Sequence, residues 1–331
     1  MLILWIAVFC VSLFFMVKGA DWLIASAEKI GLAFGLSPFI IGITIVGVGT
    51  SLPELISALA GVWKGVPDIV AANAVGSNIA NILLIIGLSA VAAGCLTVKK
   101  SLIDLDLPLL FISTIIFLGA AWDKKINLGE SIVLLAAYGV YLLYTGKQKN
   151  IDEKNGDLEV LPSRSDRRSA TLPAATEPSG IGKISIKDVL FLLLGLSALA
   201  VGAKYLIDSL IAISTGLHIA TGLIAITAVA FGTSLPELLV SIKAAWAKKS
   251  EIALGNIFGS NVFNILVVVG LPGLFKTLPI DDQTYSLGLP LMAVSTLMFV
   301  ISGISRKIHI WEGAFFLITY VLFLAKLFSW F

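Results

Sequence analysis

GTSLPEL occurs twice in this chain, at 49–55 and again at 232–238. Each copy is followed at the same distance by a related run, NAVGSNIANIL at 73–83 and NIFGSNVFNIL at 256–266. Residues 44–87 align without a gap to 227–270, at a constant offset of 183, with 19 identities in 44 positions. Upstream the match weakens but persists, Gly19-Ala20-Asp21-Trp22-Leu23-Ile24 facing Gly202-Ala203-Lys204-Tyr205-Leu206-Ile207. Self-similarity at this spacing reports a duplicated structural unit.

The surroundings of the two copies say where the unit resides. Of 331 residues, 58% are apolar and 13% are charged. Soluble domains are about a quarter charged and disordered chains lack the hydrophobicity, so a polytopic membrane protein remains. Two cysteines exclude a disulfide scaffold, and two histidines leave too few soft ligands for a zinc or iron centre. A formal net charge of +2 is no nucleic-acid-binding excess. A helix needs about 20 apolar residues to cross the hydrocarbon. Ten stretches qualify: 2–28, 36–62, 68–94, 103–121, 127–146, 185–209, 220–246, 252–275, 284–303 and 309–330. The first has no basic residues ahead of its apolar run, and Lys18 follows that run, so it reads as a retained span.

One long polar segment, 147–184, separates the fifth span from the sixth and reads as a flexible tether. The expected organisation is thus a five-helix repeat over 1–146, the loop 147–184, and a second five-helix repeat over 185–331. Placing the termini outside puts Lys29, Lys99, Lys100, Lys248, Lys249, Arg306 and Lys307 inside, against Lys64, Lys124, Lys125 and Lys276 outside. The positive-inside rule favours this orientation, with the loop cytoplasmic. Because the copies begin an odd number of spans apart, they enter the membrane from opposite sides. The predicted fold is all-α, ten transmembrane helices in two inverted-topology repeats, an architecture of secondary transporters with sites at the repeat interface.

Glu54 and Glu237 fall inside apolar spans at equivalent positions. A carboxylate there costs several kcal/mol and marks a functional site by default. No interior Lys or Arg matches both, so the natural partner is a cation. Gly49 and Pro53, like Gly232 and Pro236, bracket Thr50-Ser51 and Thr233-Ser234. Such residues loosen a helix and free its carbonyls. Carbonyls, hydroxyls and a carboxylate are hard oxygen ligands suited to Ca2+ or Na+. Ser-x-x-Glu is also a capping box, which would give Ser51 and Glu54 a purely structural use. A cap alone would not need a charge at mid-membrane twice. Asn73, Ser77 and Asn81 share one helical face, and Asn256, Ser260 and Asn264 repeat it. The stripe reads as a second set of ligands beside the glutamates, with helix packing as the alternative. Asn78 and Asn261 lie off it. Asp106 reads as interfacial, Lys243 as a residue snorkelling to the inner side, and Cys10 and Cys95 as inert thiols in spans. Trp63, Trp246 and Trp311 read as interfacial anchors. No phosphate-binding loop and no Ser-His-Asp set occurs, so neither nucleotide-driven transport nor hydrolysis is expected.

The paired GTSLPE segments, each followed by a GSN-containing helix, resemble the alpha repeats of the calcium/cation antiporter superfamily. Within it the chain is similar to the prokaryotic sodium/calcium exchangers. The resemblance implies exchange of several Na+ for one Ca2+ by alternating access; the sequence itself gives no sign of a cofactor, protein partner, nucleotide or nucleic acid. The compact loops and the lack of a targeting signal suggest a prokaryotic cytoplasmic membrane. The resemblance implies a calcium site of Glu54, Glu237, Thr50 and Thr233. Flanking sodium sites would use Ser51, Ser234, Ser77 and Ser260 with the carbonyls of Gly47 and Ala230, and Asn81 and Asn264 would close them. Asn264 departs from relatives with an aspartate there, which argues against potassium coupling. Thr-Ser in place of a Gly-Asn motif argues against proton coupling. Two carboxylates balance one Ca2+ or two Na+, so a further Na+ makes exchange electrogenic. The rival readings are an exchanger coupled to H+ or K+, and a passive cation channel, which would more naturally ring its acids around an oligomeric pore.

Overall fold

The computed structural model describes residues 2–97, 106–156, 184–216 and 234–328. Within them lie ten helical segments: α1 Leu2–Ala33, α2 Pro38–Trp63, α3 Asp68–Ala93, α4 Leu107–Ala120, α5 Leu128–Gly156, α6 Ile186–Gly216, α7 Leu235–Trp246, α8 Ser250–Gly273, α9 Thr284–Ile304 and α10 Ile310–Leu327. Eight are long and apolar enough to cross a membrane, and α4 is a shorter apolar helix. Each segment lies on one of the ten predicted spans, most ends agreeing within about five residues, while α6 runs on to Gly216, past the expected 209. The first half of the seventh span, including Ala230 and Thr233, lies outside the described residues. So does most of the predicted loop. Helical backbone continues in α5 to Gly156, past the boundary expected at 147. Charge without apolar periodicity hid that extension.

Turn chemistry explains the boundaries. Ser37 caps α2 by accepting the Ile40 N–H at 3.3 Å, with Pro38 in the first turn. The chain leaves α2 through Gly65 at φ 83°, as the Val66 N–H reaches back to the Gly61 carbonyl at 2.9 Å. The equivalent exit from α7 uses Lys248 at φ 59°, with the Lys249 N–H on the Ala244 carbonyl at 2.8 Å. One geometry thus closes both helices, but only one copy has the glycine that tolerates it best.

Four short strands follow the same duplication: β1 Cys95–Thr97, β2 Lys125–Ile126, β3 Leu278–Pro279 and β4 Lys307–His309. β1 pairs antiparallel with β4, Leu96 opposite Ile308, and β2 pairs with β3, Ile126 opposite Leu278. Each ladder joins a strand of one half to a strand of the other. Cys95, expected inside a span, is therefore in a strand beyond α3, and Cys10 is exposed on α1. Asp106, expected at an interface, is buried at the start of α4.

α8 lies at the centre, buried along its whole length, with α3 beside it. α2 crosses α8 at backbone contact. A Cβ on Gly42 would lie 2.9 Å from the Gly255 Cα, and one on Gly259 would strike the backbone of Ile43. α1 and α6 run against each other at the periphery. There Gly19 meets Gly195, and the equivalent Gly202 meets Met16 and the Ser12 carbonyl. The close approach of small residues is how membrane helices pack without a hydrophobic drive.

Ion pairs tie α1 to the second half at one end. Lys243 pairs with Asp21 and donates to the Val17 carbonyl at 2.7 Å. Lys249 pairs with Glu28, and Lys29 with Asp188 at 3.4 Å. Lys243 thus has a partner on α1 rather than snorkelling alone. The repeat offers nothing comparable at the other end. Asp21 is replaced by Lys204, and the remaining equivalents are Ala60, Ile211, Val66, Ala212 and Trp5. Trp63, Trp246 and Trp311 are all exposed near helix ends.

Candidate cation site

The first GTSLPEL segment breaks its helix at Ser51, and the second starts a helix directly after Ser234. Ser51 has φ −89° and ψ 3°, and Ser234 has φ −90° and ψ 6°, before Pro53 in the resumed α2 and Pro236 in the first turn of α7. A π-helical turn, Gly42–Gly47, precedes the first break. Further π-helical turns, Ala80–Ile86 in α3 and Asn264–Val268 in α8, carry Asn81 and Asn264. Such wide turns release carbonyls from the helical ladder and recur at functional sites.

Neither serine caps its helix with its side chain. The Ser51 hydroxyl crosses to the other half and donates to Glu237 Oε1 at 3.0 Å. The capping-box reading of Ser51 is thereby replaced by a bond between the two motifs. Thr50 also crosses: its hydroxyl donates to Asn256 Oδ1 at 3.0 Å and lies 3.4 Å from Ser260 Oγ. Ser260 donates to the Gly47 carbonyl at 3.2 Å. Asn256 in turn donates through Nδ2 to Ser241 Oγ at 2.8 Å and to the Glu237 carbonyl at 3.3 Å. Asn256 is thus a brace between Thr50 and α7, with its oxygen already engaged. Its counterpart Asn73 is only half-buried. Ser241 is a residue that the repeat could not reveal, because Ala58 stands at its equivalent.

Glu54 and Glu237 are completely buried. Both oxygens of Glu54 and Oε2 of Glu237 have no hydrogen-bond donor among the described residues. Asn81 Oδ1, Asn264 Oδ1 and Ser234 Oγ are buried in the same condition. Ser77 is buried on the α3 stripe. Buried carboxylate oxygens without donors are expensive, and no cluster of three or more His, Cys, Asp or Glu is found among the described residues. The donor set is therefore two carboxylates among amide and hydroxyl oxygens, which is hard-cation chemistry.

Two half-chains in inverted order, with a carboxylate from each at their junction inside a bundle of membrane-crossing helices, define a membrane carrier of the inverted-repeat class. The chain belongs to the sodium/calcium exchanger protein family, whose sequence pattern matches residues 4–147 and again 187–329. It is 33% identical to the sodium/calcium exchanger MaX1 of Methanosarcina acetivorans, over 96% of each chain. An uncharacterized membrane protein of Methanocaldococcus jannaschii is 32% identical over 99% of each. Among solved structures, that of the sodium-calcium exchanger NCX_Mj soaked with Na+ and Ca2+ superposes with a TM-score of 0.80. That match is 30% identical and covers 99% of both chains.

Proposed function

We propose that this protein is a secondary-active antiporter that exchanges several Na+ for one Ca2+ by alternating access. The observation that carries the reading is the buried oxygen cluster at the repeat junction, with three carboxylate oxygens lacking a donor among the described residues. The bilayer core tolerates such charge only when a counter-charge arrives, and a transported cation supplies it. Two carboxylates neutralise one Ca2+ or two Na+. The two ions therefore exclude one another at shared oxygens, and each further Na+ moves net charge. The relatives named as sodium/calcium exchangers support the choice of ions. Asn264 gives no third carboxylate, which favours coupling to Na+ without K+. We place the chain in a prokaryotic cytoplasmic membrane with both termini outside. We further divide it into two five-helix halves joined by the segment after α5. On this reading Glu54, Glu237, Thr50 and Thr233 hold Ca2+. Ser51, Ser234, Ser77, Ser260, Asn81, Asn264, Gly47 and Ala230 complete the sodium sites. Asn73 and Asn256 extend the stripe of ligands beside them.

Ca2+ uptake into Na+-loaded proteoliposomes tests the proposal, with K+-loaded and acid-loaded vesicles as controls. Uptake should require the outward Na+ gradient, respond to membrane potential, and vanish in Glu54→Gln and Glu237→Gln proteins that remain monodisperse. Uptake driven by K+ or H+, or flowing without a counter-ion, would refute the assigned coupling.

A further inference from the structure

Two buried asparagines off the predicted stripe, Asn78 on α3 and Asn261 on α8, meet across the repeat junction at equivalent positions. Asn78 Nδ2 donates to the Asn261 backbone carbonyl at 3.1 Å, and Asn81 Nδ2 donates to Asn261 Oδ1 at 3.0 Å. The bonding is one-sided. Asn78 Oδ1, Asn261 Nδ2 and Asn264 Nδ2 are buried without a partner among the described residues. Orphaned amide atoms at this depth are rare and call for a reason. Exchanging the roles of the two halves supplies one. Asn78 then takes the place of Asn261, and Asn81 that of Asn264. The two bonds become Asn261 Nδ2 to the Asn78 carbonyl and Asn264 Nδ2 to Asn78 Oδ1. All three orphaned atoms are thereby satisfied, while Asn78 Nδ2, Asn81 Nδ2 and Asn261 Oδ1 give up their bonds in turn, so the one-sidedness passes from one half to the other.

We propose that Asn78 and Asn261 are alternating positioning residues for the cation site. In the present arrangement Asn261 holds the Asn81 amide by its nitrogen, leaving Asn81 Oδ1 for the cation. In the arrangement with the roles of the two halves exchanged, Asn78 holds Asn264 in the same way. An inverted-repeat carrier reaches its second state as each half adopts the other's conformation, so the swap follows the access cycle. The proposal rests on the exchange reading above and adds to it two residues and a sidedness.

The test is Na+-driven Ca2+ transport by Asn78→Ala and Asn261→Ala proteins in vesicles of uniform orientation, with the apparent KM measured at each face. Each variant should raise KM about tenfold at one face, as expected for loss of one ligand-orienting hydrogen bond. The two variants should affect opposite faces. Equal effects at both faces, or none, would overturn the proposal, since a merely structural role has no side. A second arm needs no variant. Structures of the native chain open to each face should differ, one keeping the present bonds and the other bringing Asn264 Nδ2 within hydrogen-bond reach of Asn78 Oδ1 and parting Asn81 from Asn261. Finding the present bonds unchanged in both states would equally overturn it. Absence of Na+-driven uptake by the native protein would instead remove the exchange reading, and the two failures are read from different samples.

Discussion

Glu54 and Glu237 occupy equivalent positions, yet the other half treats them differently. Ser51 donates to Glu237, whereas both oxygens of Glu54 lack a donor among the described residues. Ser51→Ala should therefore weaken Ca2+ binding through Glu237, by about tenfold in apparent affinity for one charge-assisted bond. The fold should survive, which size-exclusion profiles would check. Asn256→Ala removes the brace joining Thr50, Ser241 and the Glu237 carbonyl. It should cost about 2–3 kcal/mol of stability by leaving several buried groups unsatisfied, and a thermal-shift measurement in detergent would report the loss. Both glutamates were legible in the sequence, because charge inside an apolar span is costly and here it recurs. The bonds of Ser51, Thr50 and Asn256 were not. Each joins residues about 186 or 206 positions apart or depends on Ser241, whose counterpart is an alanine.

The helical elements were legible in number and place, since length and apolarity decide what can cross a bilayer, but the ends of α5 and α6, at Gly156 and Gly216, lie beyond what apolarity marks. The strands were not, because two or three residues carry no alternation to read. Two predictions belong to this scale. Lys248 adopts the left-handed turn for which the other copy uses Gly65. Lys248→Gly should stabilise the protein by about 1 kcal/mol, the usual cost of that conformation for a side chain, seen as a higher thermal midpoint. Gly259→Ala would drive a methyl group into the Ile43 backbone where α2 crosses α8. Backbone cannot rotate aside, so folded yield should fall sharply. Gly119→Ala, where a Cβ meets nothing within 4 Å among the described residues, should leave yield intact.

At the scale of the molecule, the two ladders cross-link the halves, since β1 belongs to one and its partner β4 to the other. Fragments 1–156 and 184–331 expressed together should therefore assemble and transport, and co-purification through a tag on one fragment would check it. The three ion pairs between α1 and the second half have no counterpart at the other end among the described residues. Lys29–Asp188 is exposed on the lysine side and the other two pairs are partly buried; at about 1 kcal/mol each the set is small beside the fold. An access equilibrium between two near-mirror states is finely balanced, and the same energy weighs heavily there. Replacing Lys243 and Lys249 together by Ala should change the ratio of apparent Ca2+ affinities at the two faces several-fold, and high salt should do so partly in the native protein. Such a protein is a turnstile with a spring on one side: it admits traffic both ways, but it comes to rest facing one.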